Sequence, residues 1–162
     1  MGEKAATTEY EIPPGKQEYR STRMFDAPRE LVFRAFTDPD LVQRWWGPRR
    51  LTTIIEQMEA RPGGRWRYLN RDSAGHEFGF HGVYHDVVAP ERIVQTFEFE
   101  GTPGHVLLQT MTFESVSGRT RLRQHAVFES VEDRDAMVQA GMEEGASESM
   151  DRLAELLAMQ DL

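Results

Sequence analysis

The spacing of apolar residues changes twice along the chain, from strand-like to helical and back. Between residues 25 and 48, apolar side chains recur at helical spacing in two short runs, which are Val32, Phe33, Ala35 and Phe36, and then Leu41, Val42, Trp45 and Trp46. Asp38 is suited to cap the second run and Pro39 to begin it, while Gly47 ends it. The pattern predicts two short helices whose aromatic residues are buried against another part of the protein.

Before and after these helices, apolar and polar residues alternate with a period of two, which is typical of strands. A first strand is predicted over residues 18–25, and six more follow the helices, over residues 52–59, 65–70, 76–88, 92–100, 105–115 and 120–129. Short turns rich in Gly, Pro, Asp and Ser join these six strands. We therefore predict a seven-stranded antiparallel sheet that curls because of its twist.

Helical spacing returns over residues 132–159, which are predicted to form one long helix with an apolar stripe of Met142, Ala146, Met150, Leu153 and Leu157. A second stripe consists of the small residues Gly141, Gly145 and Ser149. Glycine inside a helix costs about 1 kcal/mol relative to alanine. The small stripe therefore has two interpretations, which are close packing of the helix on the sheet and clearance for a ligand between them.

This order of elements predicts an α+β fold in which a curved antiparallel sheet wraps round the long C-terminal helix. The two short helices after the first strand close one end of the sheet. A length of 162 residues suits one domain, which we place at residues 18–162. Residues 1–17 are polar and contain Pro-Pro-Gly, so they are predicted to be a flexible tail. The space between helix and sheet is either filled by side chains or left as a pocket.

Composition narrows the function classes. The chain has no cysteine, which excludes disulfides and thiol chemistry. It has no apolar run near the roughly 20 residues of a membrane span, and no secretory signal pattern, so we expect a cytoplasmic protein. The net charge of -8 argues against nucleic-acid binding. Ten acidic residues and two arginines lie in residues 129–162, where they form either a solvated helix face or a docking surface for a protein partner.

Residues that could carry catalysis are few. His81 and His85 lie on a predicted strand, where residues four apart are separated by about 13 Å, too far for a shared metal. The chain has no GxSxG motif and no phosphate-binding glycine loop. Glu56, Glu98 and Glu114 are interpreted as surface acids paired with arginines across strands, with a buried catalytic acid as the alternative. We therefore predict no catalytic residue, no metal and no cofactor.

An aromatic and apolar set of residues can instead reach the space between helix and sheet. The candidate cavity residues are Phe36, Trp45, Trp46, Trp66, Tyr68, Phe78, Phe80, Tyr84, Gln95, Phe97, Met111, Phe113, Met142, Gly145, Ser149 and Leu153. Tyr68, Tyr84 and Gln95 could supply the few polar anchors that such pockets use. Taken singly, each apolar member is also compatible with an ordinary core.

The predicted arrangement resembles the helix-grip fold of the START-like (SRPBCC) superfamily, to which the birch-pollen allergen and polyketide cyclases belong. The motifs FDAPRELVFRAFTDPDLVQRWWGP, RPGGRWRY, GVYHDVVAPERIVQTFEF, GRTRLRQ and GMEEGASESMDRLAELLA occur in this order. They resemble the C-terminal-domain family of the heat-shock-protein-90 ATPase activator, in its single-domain bacterial form. The resemblance covers about residues 19–160, nearly the whole chain.

The resemblance implies that the cavity binds a small, largely apolar molecule. One alternative is an enzyme of cyclase, aromatase or hydrolase type that uses the same cavity. Another is a co-chaperone-like interaction module that engages a protein partner, through the acidic last helix or otherwise. A homodimer is also left open.

Overall fold

The computed structural model describes residues 6–159. These residues form eight strands and four helices, which are β1 (Glu9–Glu11), β2 (Glu18–Phe25), α1 (Arg29–Thr37), α2 (Pro39–Trp45), β3 (Thr52–Met58), β4 (Arg65–Arg71), β5 (Glu77–Val88), β6 (Arg92–Phe99), β7 (Val106–Val116), β8 (Arg119–Val127), α3 (Val131–Gln139) and α4 (Met142–Leu157). The α+β helix-grip prediction is confirmed.

One antiparallel sheet contains all eight strands, in the order β1-β2-β8-β7-β6-β5-β4-β3. Strands β3 to β8 form the predicted meander. Strand β2 pairs with β8 over its whole length, from Glu18 opposite Val127 to Phe25 opposite Thr120. Side chains alternate between a face covered by the helices, here called the inner face, and an outer face. Along β4, for example, Trp66, Tyr68 and Asn70 are buried on the inner face.

The two short helices follow the capping pattern that the sequence predicts. The Asp38 carboxylate accepts a hydrogen bond from the backbone N–H of Asp40 at 3.0 Å, and Pro39 begins α2. The indole Nε1 of Trp45 donates to the carbonyl of Ala35 at 2.9 Å. The rings of Phe36 and Trp45 lie 4.7 Å apart. These contacts join α1 to α2 and place Trp46 at the start of the connection to β3.

The prediction of one long C-terminal helix is wrong, because the chain forms two helices, α3 and α4. Ala140 and Gly141 separate them, and Gly141 has a φ of 91°. This left-handed conformation is costly for residues with a Cβ. Gly141 is therefore the residue at which the helix breaks and not a member of a continuous small stripe. The break was missed because helical spacing continues across it.

A second correction concerns the predicted tail and the strand count. Strand β1 lies inside residues 1–17 and pairs with β2, with Tyr10 opposite Ser21. The Tyr10 hydroxyl donates to the carbonyl of Glu143 at 3.3 Å and accepts from the Ser147 hydroxyl at 3.1 Å. Residues 9–11 are thus tied both to the sheet and to α4. The remaining parts of the tail and domain predictions at residues 1–5 and 160–162 lie outside the described residues.

The main core lies between the inner face, α1, α2 and the C-terminal half of α4. Its fully or almost fully buried members include Val32, Phe33, Phe113, Leu122, Leu153, Leu156 and Leu157. Hydrophobic residues in a core of this kind supply most of the favourable free energy of folding. Within residues 6–159, none of the helices combines the length and the apolar character that crossing a membrane requires.

Candidate functional site

A cavity of about 520 Å³ lies between the inner face of the sheet and the segment from α3 to the middle of α4. The helical side of the cavity is formed by Met137, Ala140, Gly141, Met142, Gly145, Ala146, Ser149 and Met150. A methyl group added at Gly145 would meet no atom of residues 6–159 within 4 Å, its chain neighbours and its own helix backbone aside. The glycine therefore faces open space, and the close-packing interpretation is wrong at this position.

Aromatic residues surround one end of the cavity, and Trp46, Tyr68, Phe80, Phe97 and Phe99 are called the aromatic cluster below. The ring of Trp46 lies 5.1 Å from the ring of Tyr68 and 5.1 Å from the ring of Phe80, both edge to face. Phe80 also contacts Phe99 at a centroid distance of 5.1 Å. Such arrangements are the favoured geometries of aromatic pairs. The cluster offers flat apolar surface to a molecule in the cavity.

The connection from α2 to β3 forms the edge of the cavity and is held in place by hydrogen bonds. The Arg152 guanidinium donates to the carbonyl of Gly47 at 2.8 Å and to that of Arg44 at 3.0 Å. The Thr53 hydroxyl lies 2.9 Å from the Asn70 amide oxygen and also contacts the Trp46 carbonyl. These hydrogen bonds hold the backbone around Trp46, and the Trp46 ring itself packs against Tyr68 and Phe80.

The centre of the sheet contributes polar side chains to the cavity. They are Ser21 on β2, Gln95 on β6, Gln109 on β7 and Gln124 on β8. Tyr10 and Tyr19 line the same side. The Gln95 amide nitrogen donates to the Gln109 amide oxygen at 3.0 Å. A polar patch therefore lies in the middle of a mainly apolar surface.

Ionisable groups at the cavity are limited to three tyrosines and one arginine among the described lining residues, namely Tyr10, Tyr19, Tyr68 and Arg50. Burial raises the pKa of Tyr68 well above its ordinary value, and nearby Tyr84 raises it further. Burial also raises the pKa of Tyr19 and of Tyr10. Their hydroxyls are therefore neutral near pH ~7. Arg50 is exposed at the rim.

Carboxylates and histidines of the strands lie instead on the outer face. Glu56 pairs with Arg67, and Glu114 pairs with Arg121 at 3.1 Å, which confirms the surface-pair interpretation for these two acids. Glu98 lies 3.4 Å from His81, so its partner is a histidine and not the arginine that was expected. Within residues 6–159, no group of three or more His, Cys, Asp or Glu side chains is arranged to hold a metal ion.

Glu100 is the most strongly perturbed carboxylate of the outer face. Its oxygens lie 2.9 and 2.8 Å from the Arg67 guanidinium and 2.8 Å from His81 Nδ1. The hydrogen bonds from Arg67, followed by the one from His81, lower the pKa of Glu100 to about 2. A Cβ at Gly79 would come within 2.3 Å of the Glu100 carboxylate. A side chain at Gly79 would therefore require the Glu100 carboxylate to shift from this position.

Residues 26–158 match the sequence model of a family described as activator of Hsp90 ATPase homolog 1-like protein. The chain belongs to this family. No curated protein gives a significant sequence match.

Several bacterial proteins with solved structures have the same fold as this protein. A solution structure from Arthrobacter aurescens is 26% identical, covers 93% of this chain and 91% of its own, and has a TM-score of 0.86. A crystal structure from Rhodobacter sphaeroides is 26% identical, with coverages of 93% and 98% and a TM-score of 0.85. A crystal structure from Mycobacterium smegmatis, 23% identical with coverages of 94% and 97% and a TM-score of 0.84, shows the fold alone.

Most of the residues that were predicted to line the cavity of this protein do line it. They are Phe36, Trp45, Trp46, Tyr68, Phe78, Phe80, Gln95, Phe97, Met111, Met142, Gly145 and Ser149. Phe78 is 36% exposed, which places it near the opening. The lining position of these residues follows from the geometry, whereas their contact with a ligand stays a prediction.

Four predicted cavity residues lie in the core instead, namely Trp66, Tyr84, Phe113 and Leu153, each at most 1% exposed. The Trp66 ring is covered by Tyr68, at a centroid distance of 4.6 Å. Phe113 packs against Phe33 and Phe36 of α1 at 5.1 and 5.2 Å. The prediction is wrong for the three strand residues because strand parity identifies the inner face but not the depth of a side chain beneath its neighbours. It is wrong for Leu153 of α4 because helical spacing identifies the inward side of a helix but not which part of that side lies over a cavity.

The sequence analysis missed several polar lining residues of this family member, among them Tyr10, Ser21, Asn70, Gln109 and Gln124. A signal for the two glutamines was present. Gln109 shares strand parity with Met111, and Gln124 shares it with Leu122. A polar residue at an inward position is unusual, and it marks a site that is solvated or that binds a polar group.

Proposed function

We propose that this protein binds a small, largely apolar molecule in the cavity between the sheet and α4. The cavity volume of about 520 Å³ is the observation that carries the proposal. Pockets for small molecules have volumes of roughly 300–1,000 Å³ and are mostly apolar with a few polar groups. The mixture of aromatic residues, methionines and a few amides at this cavity fits that description.

The residues of α4 also support binding rather than incomplete packing. The cavity lies beneath Gly145, Ala146 and Ser149, which are called the small-residue segment below. Large apolar side chains at these positions would fill the space and stabilise the fold through additional burial. Flexible methionines on the same side, Met142 and Met150, suit an adaptable binding surface. Proteins of the wider superfamily commonly bind hydrophobic ligands, which agrees with this interpretation.

The enzyme alternative receives less support from the geometry. General acid–base catalysis uses a histidine or a carboxylate with a suitable pKa. Among the described residues that line the cavity, none is Asp, Glu or His. The tyrosines there have raised pKa values, which disfavours their use as bases near neutral pH. The arrangement therefore favours binding over proton-transfer chemistry.

The protein-partner alternative rests mainly on the family description. Several acids of α4 are engaged inside the molecule, because Asp151 pairs with Arg23 at 2.6 Å and Glu155 pairs with Arg49. Glu148 accepts a hydrogen bond from the backbone N–H of Arg49. These contacts attach α4 to β2 and to the α2–β3 connection. They leave Glu143 and Glu144 as the acids of α4 most available to a basic partner.

Native mass spectrometry of purified protein, followed by denaturing extraction, tests the proposal. We expect a co-purifying small molecule, or uptake of added naphthalene when the purified protein is empty. Gly145→Leu should abolish binding because its side chain projects into the cavity, while circular dichroism shows an intact fold. Gly118 lies in the β7–β8 turn outside the cavity. Gly118→Leu would nevertheless be a poor control, because Gly118 has a φ of 80°, which is costly for a residue with a Cβ. Thr112→Leu, at an exposed position of β7, is the matched control and should bind normally.

Two results would count against the proposal. One is an empty wild-type protein that takes up no naphthalene at any accessible concentration. The other is unchanged binding by a folded Gly145→Leu variant, which would place the bound molecule elsewhere on the protein.

A further inference from the structure

The polar side chains on the sheet side of the cavity form two neighbouring rows across the strands. In one row, Gln95 of β6 lies directly opposite Gln109 of β7. In the next, Gln124 of β8 lies between Met111 of β7 and Ser21 of β2. Both rows point toward the cavity. Their position in the centre of the sheet makes them available to any molecule that enters beneath the small-residue segment.

The amide pair, Gln95 and Gln109, has hydrogen-bonding groups that the protein leaves unused. Its one mutual hydrogen bond, at 3.0 Å, occupies one N–H and one carbonyl oxygen. The other two groups, which are the amide oxygen of Gln95 and the amide nitrogen of Gln109, have no other partner among residues 6–159. This conclusion holds for either orientation of the two amides. A polar group left unpaired in an apolar site is costly, so a water molecule or a ligand must satisfy these groups.

The charges around the cavity indicate what kind of ligand group fits there. Arg50, at the rim, is the one charged side chain among the described lining residues. A carboxylate or ammonium group placed at the amide pair would be removed from water without an opposite charge, which is strongly unfavourable. A neutral hydroxyl or carbonyl group can exchange hydrogen bonds with an amide at no such cost. The adjacent aromatic cluster provides flat surface for the remainder of the molecule.

We propose that the cavity selects neutral aromatic molecules that carry a hydroxyl or carbonyl group, and that the Gln95–Gln109 pair hydrogen-bonds this group. The inference rests on the proposed function and specifies its ligand class. The amide pair contributes selectivity, while the aromatic cluster and the methionines of α4 contribute apolar contact.

Isothermal titration calorimetry with naphthalene and 2-naphthol near neutral pH separates these contributions, since the two probes differ by one hydroxyl group. We expect the wild-type protein to bind 2-naphthol roughly 2- to 12-fold more tightly, as one net hydrogen bond provides. Gln109→Leu and Gln95→Leu should each remove this preference, while naphthalene binds as well as before or better. Retained naphthalene binding also shows that the variants are folded. Gln57→Leu, the same substitution at an exposed position of β3, is the matched control and should keep the preference.

The outcomes distinguish the inference from the proposed function. Equal wild-type affinity for the two probes overturns the inference and leaves apolar ligand binding intact. A preference that survives in both glutamine variants overturns it as well. Binding of 2-naphthoate more tightly than 2-naphthol, with loss of that advantage in Arg50→Gln, would overturn it in favour of an anionic ligand held at the rim. Failure of the wild-type protein to bind either neutral probe would count against the proposed function itself.

Discussion

The two halves of α4 cover the same sheet but leave very different interiors beneath them. The C-terminal half places Leu153, Leu156 and Leu157 in the core, where Leu153 has an exposed fraction of 0%. The N-terminal half places the small-residue segment over a cavity of about 520 Å³. The C-terminal half also packs against α1 and α2, so the packed interior has larger side chains and additional helices, whereas small residues lie over the open one.

The adjacent tryptophans at the end of α2 show the same division. Trp45 is 3% exposed, and its indole donates to the Ala35 carbonyl at 2.9 Å, so its ring joins α1 to α2. Trp46 is half-buried and belongs to the aromatic cluster at the cavity. Trp45 therefore serves mainly the packed region, and Trp46 serves the open one.

Replacing each tryptophan by alanine gives the largest expected effect. Trp45→Ala should lower the free energy of unfolding by about 3–5 kcal/mol, because it removes a buried ring and leaves a void. Trp46→Ala should cost clearly less, since part of its ring already faces the cavity, but it should weaken ligand binding. Urea denaturation of both variants measures the difference. Equal losses of stability would mean that the two rings are packed alike, and the distinction between packed and open regions would fail at α2.

The sequence predicted the packed region more completely than the open one. Strand β2 was placed at residues 18–25, as observed, because its alternation reflects burial of one face. Strand β1 was missed because three residues carry too little periodicity and its pairing with β2 depends on tertiary contact. The break at Gly141 was missed because a positive φ cannot be read from helical spacing.

The same limit applies to the candidate site. The alternation of side chains along the strands predicted that Trp66 and Phe80 lie on the same face of the sheet. Only the structure shows that Trp66 lies beneath Tyr68, whereas Phe80 borders the cavity. The inward glutamines were not assigned to the cavity, apart from Gln95, because polar residues on strands are usually solvated. A cavity is a volume without side chains, so small residues are its main signal in a sequence. That signal is weak because the sequence does not show which residues lie opposite the small ones.

Alanine at two glycines offers a more local test of the comparison. At Gly82, in the packed region, a Cβ would come within 1.9 Å of the Thr96 carbonyl oxygen and 2.6 Å of the Trp66 indole nitrogen. Gly82→Ala should therefore destabilise the fold by about 1–3 kcal/mol. At Gly145, in the open region, the added methyl group meets no such obstacle, and Gly145→Ala should stabilise α4 by up to about 1 kcal/mol.

Thermal unfolding followed by circular dichroism measures both glycine variants. A destabilised Gly145→Ala protein would show that this helix face contacts the sheet after all, and the cavity beneath it would then be in doubt. A Gly82→Ala protein as stable as the wild type would show that β5 and β6 can separate without cost.

A change of pH is expected to have the smallest effect on stability. It tests the outer face of the sheet independently of the cavity. The folded pKa of Glu100 is lowered to about 2 by Arg67 and His81, below the ordinary value of about 4.3 for a glutamate. Its contribution to stability is therefore present above the ordinary value and is lost as the pH falls toward about 2. The effect is modest because the side chain is 30% exposed and water screens such pairs.

Urea denaturation of wild-type and Glu100→Gln proteins at several pH values isolates this contribution. The wild type should be more stable near neutral pH, and the difference should shrink in acid as the carboxylate is protonated. Affinity for naphthalene should stay constant between acid and neutral pH wherever the protein is folded, because no Asp, Glu or His lies among the described lining residues and the pKa values of the lining tyrosines are raised. An affinity that changed with the protonation of Glu100 would mean that the outer face and the cavity are coupled through the sheet, and that the open region is less independent of its packed surroundings than its geometry indicates.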